Sequence, residues 1–485
     1  MIKTIKDSPL YPMVYPDSIA FFGASNRFTS MGSNQLNSLL DMGFEGKIYP
    51  VHPKEKTVQG LVAYKSVLEL PEVPDLAVMV LPTHVVPQAL EECGQKGVAR
   101  VIIVTGGFKE AGKNGRVLEK QLVDIARRFG IRLLGPNCIG VANPRHRYNV
   151  TFIPFVGRPG FIGMSSQSGS FITQMFDYLS PLGLGFSAGI SVGNEADLDI
   201  VDGMEYLAAC PHTRVIALYI ETIRRGKAFI EAAREIVRHK PIVALYVGGS
   251  EAGKRAGLSH TGALAGSDGL YNGVFRQSGV IRAASISELF DFCWVLGASH
   301  LPHGNRVVVQ THSGGPGAAA ADACSRAGLK LPEFSPQTLE KLASYVPHTG
   351  SVNNPVDLTF TKNPRDFFDA IPRILLEEPA ADMLLVYFMA PQKVIERNMK
   401  GMGVPEDHMA GLIDKVFCDQ AAGIAQLLQD YQKPIIGFSF HERTNPMLQQ
   451  LHQQGIPALP SPERAARAMA AMAGYARVRA KMDKH

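Results

Sequence analysis

One local pattern occurs three times along the chain and restricts the folds that it can adopt. In each copy a short apolar stretch leads into a loop of small residues, and a helix-compatible stretch follows. The three copies are Ile19–Phe22 with Gly23–Asn26, Gly160–Met164 with Ser165–Ser170, and Arg306–Gln310 with Thr311–Gly317. A single copy opens any α/β domain, whereas three copies spaced by about 145 residues predict three successive α/β units.

Further apolar runs between these starts are typical of strands in a parallel sheet whose two faces are both covered. These runs are Leu76–Leu81, Val101–Val104, Val215–Ile220, Ile242–Val247, Met383–Phe388 and Pro434–Phe438. Proline, glycine and polar residues cluster at 144–160 and 301–305, which indicates domain boundaries there. We therefore predict an α/β fold of three successive doubly wound parallel-sheet domains, at residues 1–150, 151–302 and 303–485.

Composition excludes several classes of function. The net charge of +5, from 49 basic and 44 acidic residues, is too small to indicate a nucleic-acid partner. The six cysteines form no C-x-x-C pair and are typical of free thiols in a reducing compartment. No apolar run approaches the roughly 18 residues of a membrane helix, and the N-terminus lacks the apolar core of a signal peptide. We expect a cytoplasmic protein with no metal site and no membrane contact.

The end of the second predicted strand indicates what the first unit binds. Lys47–Val51 runs into His52-Pro53-Lys54-Glu55-Lys56, where an NAD site has an acidic residue that binds the ribose hydroxyls. A basic end favours a ligand with a phosphate on its ribose, and both NADP and coenzyme A carry one. Loops at the carboxyl ends of parallel strands form the ligand crevice. The predicted cofactor contacts are Gly23, Ala24, Ser25, Lys54, Pro82, Thr105, Gly106, Gly107 and Asn137.

One histidine lies among glycines, alanines and small hydroxyls, in the stretch Gly257–Gly266. Three glycines in ten residues disfavour a helix or strand, so we predict a loop that carries one titratable nucleophile, His260. Two other loops outside the first unit lead into predicted helices, Ser168-Gly169-Ser170 and Gly314-Gly315. Because helix N-termini offer backbone N–H groups and partial positive charge, both loops are predicted to converge on a phosphoryl group.

The order of these motifs resembles the ADP-forming acyl-CoA synthetases, with the α chain of succinyl-CoA synthetase as a more distant relative. In the first unit the resemblance rests on Gly-Ala-Ser, Pro-Lys, Thr-Gly-Gly-Phe-Lys-Glu and Gly-Pro-Asn-Cys-Ile-Gly, in that order. It continues through Ser166–Gly169, Gly193–Asp197, Glu221, Ser259–Gly262, Ser313–Gly317 and Asn354–Leu358. It therefore covers nearly the whole chain.

The resemblance implies the α subunit of an acid–thiol ligase that interconverts acyl-CoA, phosphate and ADP with a free acid, coenzyme A and ATP. It implies an acyl phosphate and a phosphohistidine as intermediates, with His260 as the phosphoryl carrier and Glu221 as its orienting partner. It implies a Rossmann-like CoA-binding domain followed by two flavodoxin-like domains, of which the first carries the histidine loop. The Mg-nucleotide is expected on an ATP-grasp β subunit, in an α2β2 assembly.

Two alternatives stay open at this point. An NADP-dependent oxidoreductase is disfavoured because the spacing of Gly23 and Gly32 departs from the G-x-G-x-x-G pattern. A regulatory protein that binds coenzyme A or acyl-CoA without a ligase partner is disfavoured by the presence of both His260 and Glu221. The residues identify neither the acid nor the nucleotide, ADP or GDP, nor the direction of the reaction.

Overall fold

A computed structural model of the chain describes residues 4–155, 157–253, 266–359, 363–389 and 392–482. Contacts divide it into two compact units, Met1–Ser180 with Leu184–Leu289, and Pro181–Gly183 with Phe290–His485. The first unit contains two large sheets and a two-stranded antiparallel hairpin, Thr57–Val58 with Leu61–Val62, and the second unit contains one large sheet. His260 and Ser259, together with most of the glycine-rich loop around them, lie outside the described residues.

The first sheet has five parallel strands in the order β2-β1-β3-β4-β5. Its strands are β1 (Ser18–Phe22), β2 (Lys47–Val51), β3 (Leu76–Met79), β4 (Arg100–Ile103) and β5 (Arg132–Leu134). The helices of this region are α1 (Tyr11–Val14), α2 (Met31–Asp41), α3 (Val86–Lys96) and α4 (Lys113–Phe129). Every residue of β1 and β3 is buried, as expected for strands covered on both faces.

The second sheet has the order β12-β11-β10-β8-β9-β6-β7, and only β6 and β7 run antiparallel to their neighbours. Its strands are β6 (Val141–Asn143), β7 (Tyr148–Asn149), β8 (Ile162–Ser166), β9 (Phe186–Ser191), β10 (Val215–Ile220), β11 (Ile242–Tyr246) and β12 (Ile281–Ala283). The accompanying helices are α5 (Gly169–Leu179), α6 (Ile200–Ala209), α7 (Gly226–Ile236) and α8 (Asp268–Ser278). Helix α9 (Ile286–Ala298) follows, and most of its residues belong to the second unit.

The third sheet, in the second unit, has five parallel strands in the order β14-β13-β15-β16-β17. Its strands are β13 (Val307–Thr311), β14 (Val356–Asp357), β15 (Met383–Tyr387), β16 (Ile435–Phe438) and β17 (Ala458–Leu459). Its helices are α10 (Gly314–Arg326), α11 (Pro336–Ala343), α12 (Ala370–Glu377), α13 (Gln392–Gly401), α14 (Glu406–Tyr431), α15 (Pro446–Gln453) and α16 (Pro462–Met482).

The three large sheets share one strand order. Counting only the parallel strands in chain order, each sheet reads 2-1-3-4-5, a doubly wound order in which ligands bind where the winding reverses, beside strand 1. The prediction of three doubly wound parallel-sheet units is therefore confirmed. The hairpin β6–β7 belongs to the second sheet, so the first sheet is complete before residue 141 and the predicted domain limit at 150 falls just beyond this hairpin.

Several local predictions also agree with the structure. Lys47–Val51 and Val215–Ile220 form strands with the predicted bounds. The C-terminal helix begins at Pro462, and Ser461 caps it by accepting a hydrogen bond from the N–H of Arg464. All six cysteines are free thiols, five of them buried. Within the part of the chain that the structure describes, no helix has both the length and the apolar character that crossing a membrane requires.

Candidate functional site

The loop after β1 approaches its neighbours too closely for a side chain. Gly23 has a φ of +90°, and a Cβ there would collide with the carbonyl oxygen of Val80 beyond β3. Gly32, in the first turn of α2, lies against the carbonyl of Gly23, where a Cβ would again collide with backbone. These two glycines therefore bring the loop, α2 and the end of β3 together at the point where the winding of the first sheet reverses.

The basic stretch after β2 is a turn organised by its own histidine. Nδ1 of His52 accepts hydrogen bonds from the backbone N–H groups of Lys54 at 3.2 Å and Glu55 at 2.9 Å. Asn26 joins this turn to the loop after β1, because its Nδ2 donates to the carbonyl of Thr57 at 2.9 Å. Lys54 is exposed at the carboxyl end of β2, where its ammonium group is accessible to a phosphate.

The remaining predicted cofactor loops contact one another along the same edge. Thr83 donates through Oγ1 to the carbonyl of Gly106 at 2.8 Å, and Thr105 donates through Oγ1 to the carbonyl of Leu81 at 2.8 Å. The backbone N–H of Asn137 donates to the carbonyl of Thr105 at 2.9 Å. The loops after β3, β4 and β5 therefore form one continuous surface, with Pro82 and Gly107 exposed on it.

Asn194, which is 2% exposed, ties these loops to the second sheet. Its backbone N–H donates to the carbonyl of Pro136, and its Nδ2 donates to Glu110 at 2.6 Å and Glu119 at 2.9 Å. Lys109 donates to its carbonyl oxygen. Burial lowers the pKa of Lys109, partly opposed by the carboxylate of Glu119. One buried amide thus connects two cofactor loops to the loop after β9.

The predicted phosphate loop after β8 lies against the first sheet. A Cβ on Gly169 would come within 2.9 Å of the Cβ of Ile139, in the loop after β5. The helix that begins at Gly169 has no side-chain cap, because its N-cap residue Ser168 makes no side-chain hydrogen bond to the first turn. The backbone N–H of Ser168 donates to Oγ of Ser166 at 3.1 Å. Cys138 in the adjoining loop is a packing residue, because burial raises its pKa to about 12 and keeps it a thiol. The first turn of α5 therefore has no side-chain cap on its backbone N–H groups and lies next to the predicted cofactor loops. A phosphate contact there stays a prediction.

Glu221 comes directly after β10 and close to this helix start. Its backbone N–H donates to Oε1 of Gln167 at 2.6 Å, and Gln167 immediately follows β8. Two residues further on, the N–H of Ile223 donates to the hydroxyl of Tyr271 at 3.0 Å. Glu221, Gln167 and the start of α5 thus occupy the carboxyl edge of neighbouring strands β8 and β10.

The two flanks of the stretch that contains His260 end at the same edge. Tyr246, the last residue of β11, donates through its hydroxyl to the carbonyl of Gly266 at 2.9 Å. Its ring stacks on Tyr271, with centroids 3.6 Å apart and planes at 10°. Since Tyr271 also accepts from Ile223, the return point of this stretch is linked through one tyrosine pair to the turn that carries Glu221.

The helix start at Gly314 and Gly315 belongs to the second unit. No side chain caps this helix, and a Cβ on Gly315 would meet nothing within 4 Å. Asp357 lies beside Gly314, and its carboxylate would repel an anion bound at this helix start. His312, stacked on Phe367 with centroids 3.6 Å apart, has its pKa lowered to about 4 by burial and is neutral at pH 7. A phosphate contact at Gly314–Gly315 stays a prediction.

Sequence reasoning missed the amide and aromatic residues that join the loops. Gln167, Asn194 and Glu195 lie in motifs that we quoted without assigning them a role, and Tyr246 and Tyr271 were not singled out. The available signal was an amide residue directly after a buried strand, where a polar side chain is expected to be buried and hydrogen-bonded, as in Met164-Ser165-Ser166-Gln167.

Comparison with known families gives a match for each sheet. Residues 17–144 match the CoA binding domain, residues 159–296 the succinyl-CoA ligase like flavodoxin domain, and residues 307–433 the ligase-CoA domain. These three segments follow the three sheets in chain order.

Curated relatives match most of the chain. The acetate–CoA ligase [ADP-forming] II subunit alpha of Pyrococcus furiosus is 42% identical over 83% of this chain and 85% of its own length. The acetate–CoA ligase [ADP-forming] I subunit alpha of the same organism is 37% identical over 96% and 97%. Among solved structures, a dinucleotide-forming acetyl-coenzyme A synthetase 1 of Ca. Korarchaeum cryptofilum, in complex with phosphate and ADP, gives a TM-score of 0.86. It is 33% identical, and 98% of each chain is covered.

Proposed function

Because the chain belongs to the family of ADP-forming acetate–CoA ligase α subunits, we propose that it transfers a phosphoryl group from an acyl phosphate to His260. Inorganic phosphate attacks the thioester carbonyl of acyl-CoA, the C–S bond breaks, and coenzyme A leaves as its thiol. The imidazole of His260 then attacks the phosphorus, the bond to the acyl oxygen breaks, and the free carboxylate leaves. Transfer from His260 to ADP yields ATP.

The observation that carries this proposal is the clustering of three features at one edge of the second sheet. The uncapped start of α5 offers backbone N–H donors to a phosphate, and Glu221 directly follows the neighbouring strand β10. Gly266, where the His260 stretch returns, is bound by Tyr246 at the same edge. A carboxylate beside an imidazole stabilises the cation that forms during phosphoryl transfer, which is the role proposed for Glu221.

The position of the cofactor loops supports coenzyme A as the thiol. The loop after β5 contacts both Gly169 and Asn194, so a ligand along the carboxyl edge of the first sheet extends towards the phosphate loop. Lys54 lies at the far end of that edge, beyond β2, where it fits the ribose phosphate. We propose that coenzyme A lies along this edge with its thiol end towards α5.

We expect Lys54→Ala to abolish most of the preference for coenzyme A over dephospho-CoA. The ammonium forms a charge-assisted contact with the ribose phosphate, and such a contact contributes about 1.5–3 kcal/mol. Calorimetric titration of both ligands into the wild-type chain and the variant measures the difference. Lys65→Ala, at an exposed lysine of the first domain, is the control. Tight NADP binding without coenzyme A binding contradicts the assignment.

The partner proposed for this chain is an ATP-grasp β subunit that holds the Mg-nucleotide, in an α2β2 assembly. We expect the chain alone to form no ATP from acyl-CoA, phosphate and ADP, and the cognate β subunit to restore turnover. A coupled ATP assay with each chain alone and with the mixture tests this, and light scattering of the mixture gives its stoichiometry. ATP formation by the chain alone contradicts the proposal.

Neither alternative is favoured by these relatives. The curated relatives above are named as ligase subunits, which disfavours an NADP-dependent oxidoreductase and a binding protein without catalytic activity. The six free cysteines support the proposal that the chain functions in the cytoplasm.

A further inference from the structure

Gln167 has a side chain whose hydrogen-bonding groups are directed at the backbone around Glu221. It is 5% exposed and follows the last residue of β8. Its Oε1 accepts from the N–H groups of Glu221 at 2.6 Å and Thr222 at 2.9 Å, and its Nε2 donates to the carbonyl of Thr222 at 2.8 Å. Two N–H donors directed at one atom require that this atom be the oxygen, so the amide has one orientation.

The turn that Gln167 binds lies beyond the end of the strand. The ladder residues of β10 end at Ile220, whose carbonyl accepts from Val247. Glu221 and Thr222 follow it, so their backbone groups bond to a side chain instead of a neighbouring strand. The direction of the Glu221 side chain depends on the conformation of this backbone. Three hydrogen bonds with the Gln167 amide fix that conformation.

Glu195, which is 2% exposed, lies close enough to the Gln167 amide for that amide to lower the pKa of its carboxyl group. The Glu195 backbone has a φ of +56°, its carbonyl accepts from Arg224, and its carboxylate accepts from the N–H of Ile200 at 2.9 Å. A non-glycine residue in the left-handed region persists when its surroundings fix it. Because Asn194 precedes Glu195, the turn after β9 adjoins both the predicted cofactor loops and the buried amide of Gln167.

We propose that Gln167 is the positioning residue of Glu221: it fixes the backbone from which the Glu221 carboxylate reaches the phosphoryl-carrying histidine. This inference rests on the role proposed above for Glu221. It assigns to Gln167 no contact with the substrate. Its effect on the reaction passes entirely through Glu221.

The variant that tests this proposal is Gln167→Met, which preserves approximate volume and removes every hydrogen bond of the amide. Amide hydrogen exchange of the full chain comes first, because it needs no activity. We expect exchange at Glu221 and Thr222 to become roughly tenfold faster or more, since each amide loses its acceptor. Unchanged exchange at both positions overturns the proposal, whatever the protein catalyses.

The second measurement is a double-mutant cycle on turnover by the assembly of this chain with its β subunit. We expect Gln167→Met to lower kcat by roughly 10- to 100-fold with the Kd of coenzyme A unchanged, as for a misplaced catalytic group. In the Glu221→Gln background the same change lowers kcat by less than about twofold, because the two residues act as one unit. Equal losses in both backgrounds identify a merely structural residue and overturn the proposal.

Asn143→Leu is the matched control. Asn143 is fully buried, and its amide also joins backbone segments, donating to Val14 at 3.0 Å and accepting from Arg145 at 3.2 Å. We expect this variant to lose stability while exchange at Glu221 and Thr222 and the kcat of the folded protein stay unchanged. A control that reproduces the Gln167→Met effects attributes them to general destabilisation and overturns the proposal. If the wild-type assembly lacks turnover, the proposed function fails, and the exchange measurement still decides whether Gln167 fixes the turn.

Discussion

His260→Ala is expected to abolish phosphoryl labelling of this chain when its assembly with the β subunit is incubated with acyl-CoA and labelled phosphate in the absence of nucleotide. Without ADP the phosphoryl group remains on the carrier. Imidazole is a neutral nucleophile near pH 7, and its phosphoramidate survives alkali but is lost in acid, unlike a phosphoserine. The measurement is the label retained on the chain after alkali and after acid.

His212→Ala, at an exposed histidine, is the control and should retain the label. Glu221→Gln should weaken labelling without abolishing it, because the amide cannot stabilise the imidazolium as a carboxylate does, a loss of about 1.5–3 kcal/mol. An acid-stable label, or a label that persists in His260→Ala, would place the chemistry on another residue. Ser168 and Ser259 are then the nearest candidates.

Which strands form was predictable because both sheet faces are covered. A strand in such a sheet is apolar along its whole length, so Val215–Ile220 stands out between polar stretches. The same criterion predicts strands that are too long wherever an apolar residue follows the last residue that pairs with a neighbouring strand. Leu81 was assigned to the strand that ends at Met79, because it is apolar although it no longer pairs within β3.

The pairing of β6 and β7 with the second sheet was not predictable. Their sequences, Val141-Ala142-Asn143 and Tyr148-Asn149, contain no long apolar run, and β7 lies within the stretch 144–160 that we assigned to a boundary. The pairing depends on Val141 and Ala142 meeting Ile190 and Gly189, almost 50 residues further along the chain. Local composition carries no information about such a partner.

The candidate site was also predictable only in part. Loops after strands were predictable because parallel strands all present their carboxyl ends at one edge, so Gly23, Thr105 and Ser168 were expected there. The residues that join the loops were not, since Gln167 binds a turn 54 residues away and Asn194 binds Glu110 across 84 residues. The sequence does not distinguish an asparagine or glutamine that fixes a catalytic turn from one that only donates a hydrogen bond to a buried carbonyl.

Glu195→Gln is expected to stabilise the chain, by an amount that increases with pH. Burial raises the pKa of Glu195 from 4.5 to about 7, and Asp199 adds to this, while Gln167, the N–H of Ile200 and Lys109 oppose it. Below pH 4.5 the carboxyl is neutral in both the folded and the unfolded chain. Between pH 4.5 and 7 the unfolded chain ionises first, so the folded chain binds more protons and wild-type stability falls as pH rises.

Above pH 7 the folded chain carries the full cost of a buried carboxylate, about 3 kcal/mol at roughly 1.4 kcal/mol per pKa unit. Glutamine has the same shape and no charge, so the stability difference between Glu195→Gln and wild type should rise from near zero at pH 4.5 to about that value at pH 8. Denaturant unfolding of the full chain at several pH values measures this difference. Glu231→Gln, at an exposed carboxyl on α7, is the control and should show little change with pH. A difference that stays flat for Glu195→Gln, or that falls as pH rises, means that the Glu195 carboxylate is stabilised where it lies, and the turn after β9 then carries a buried charge at neutral pH.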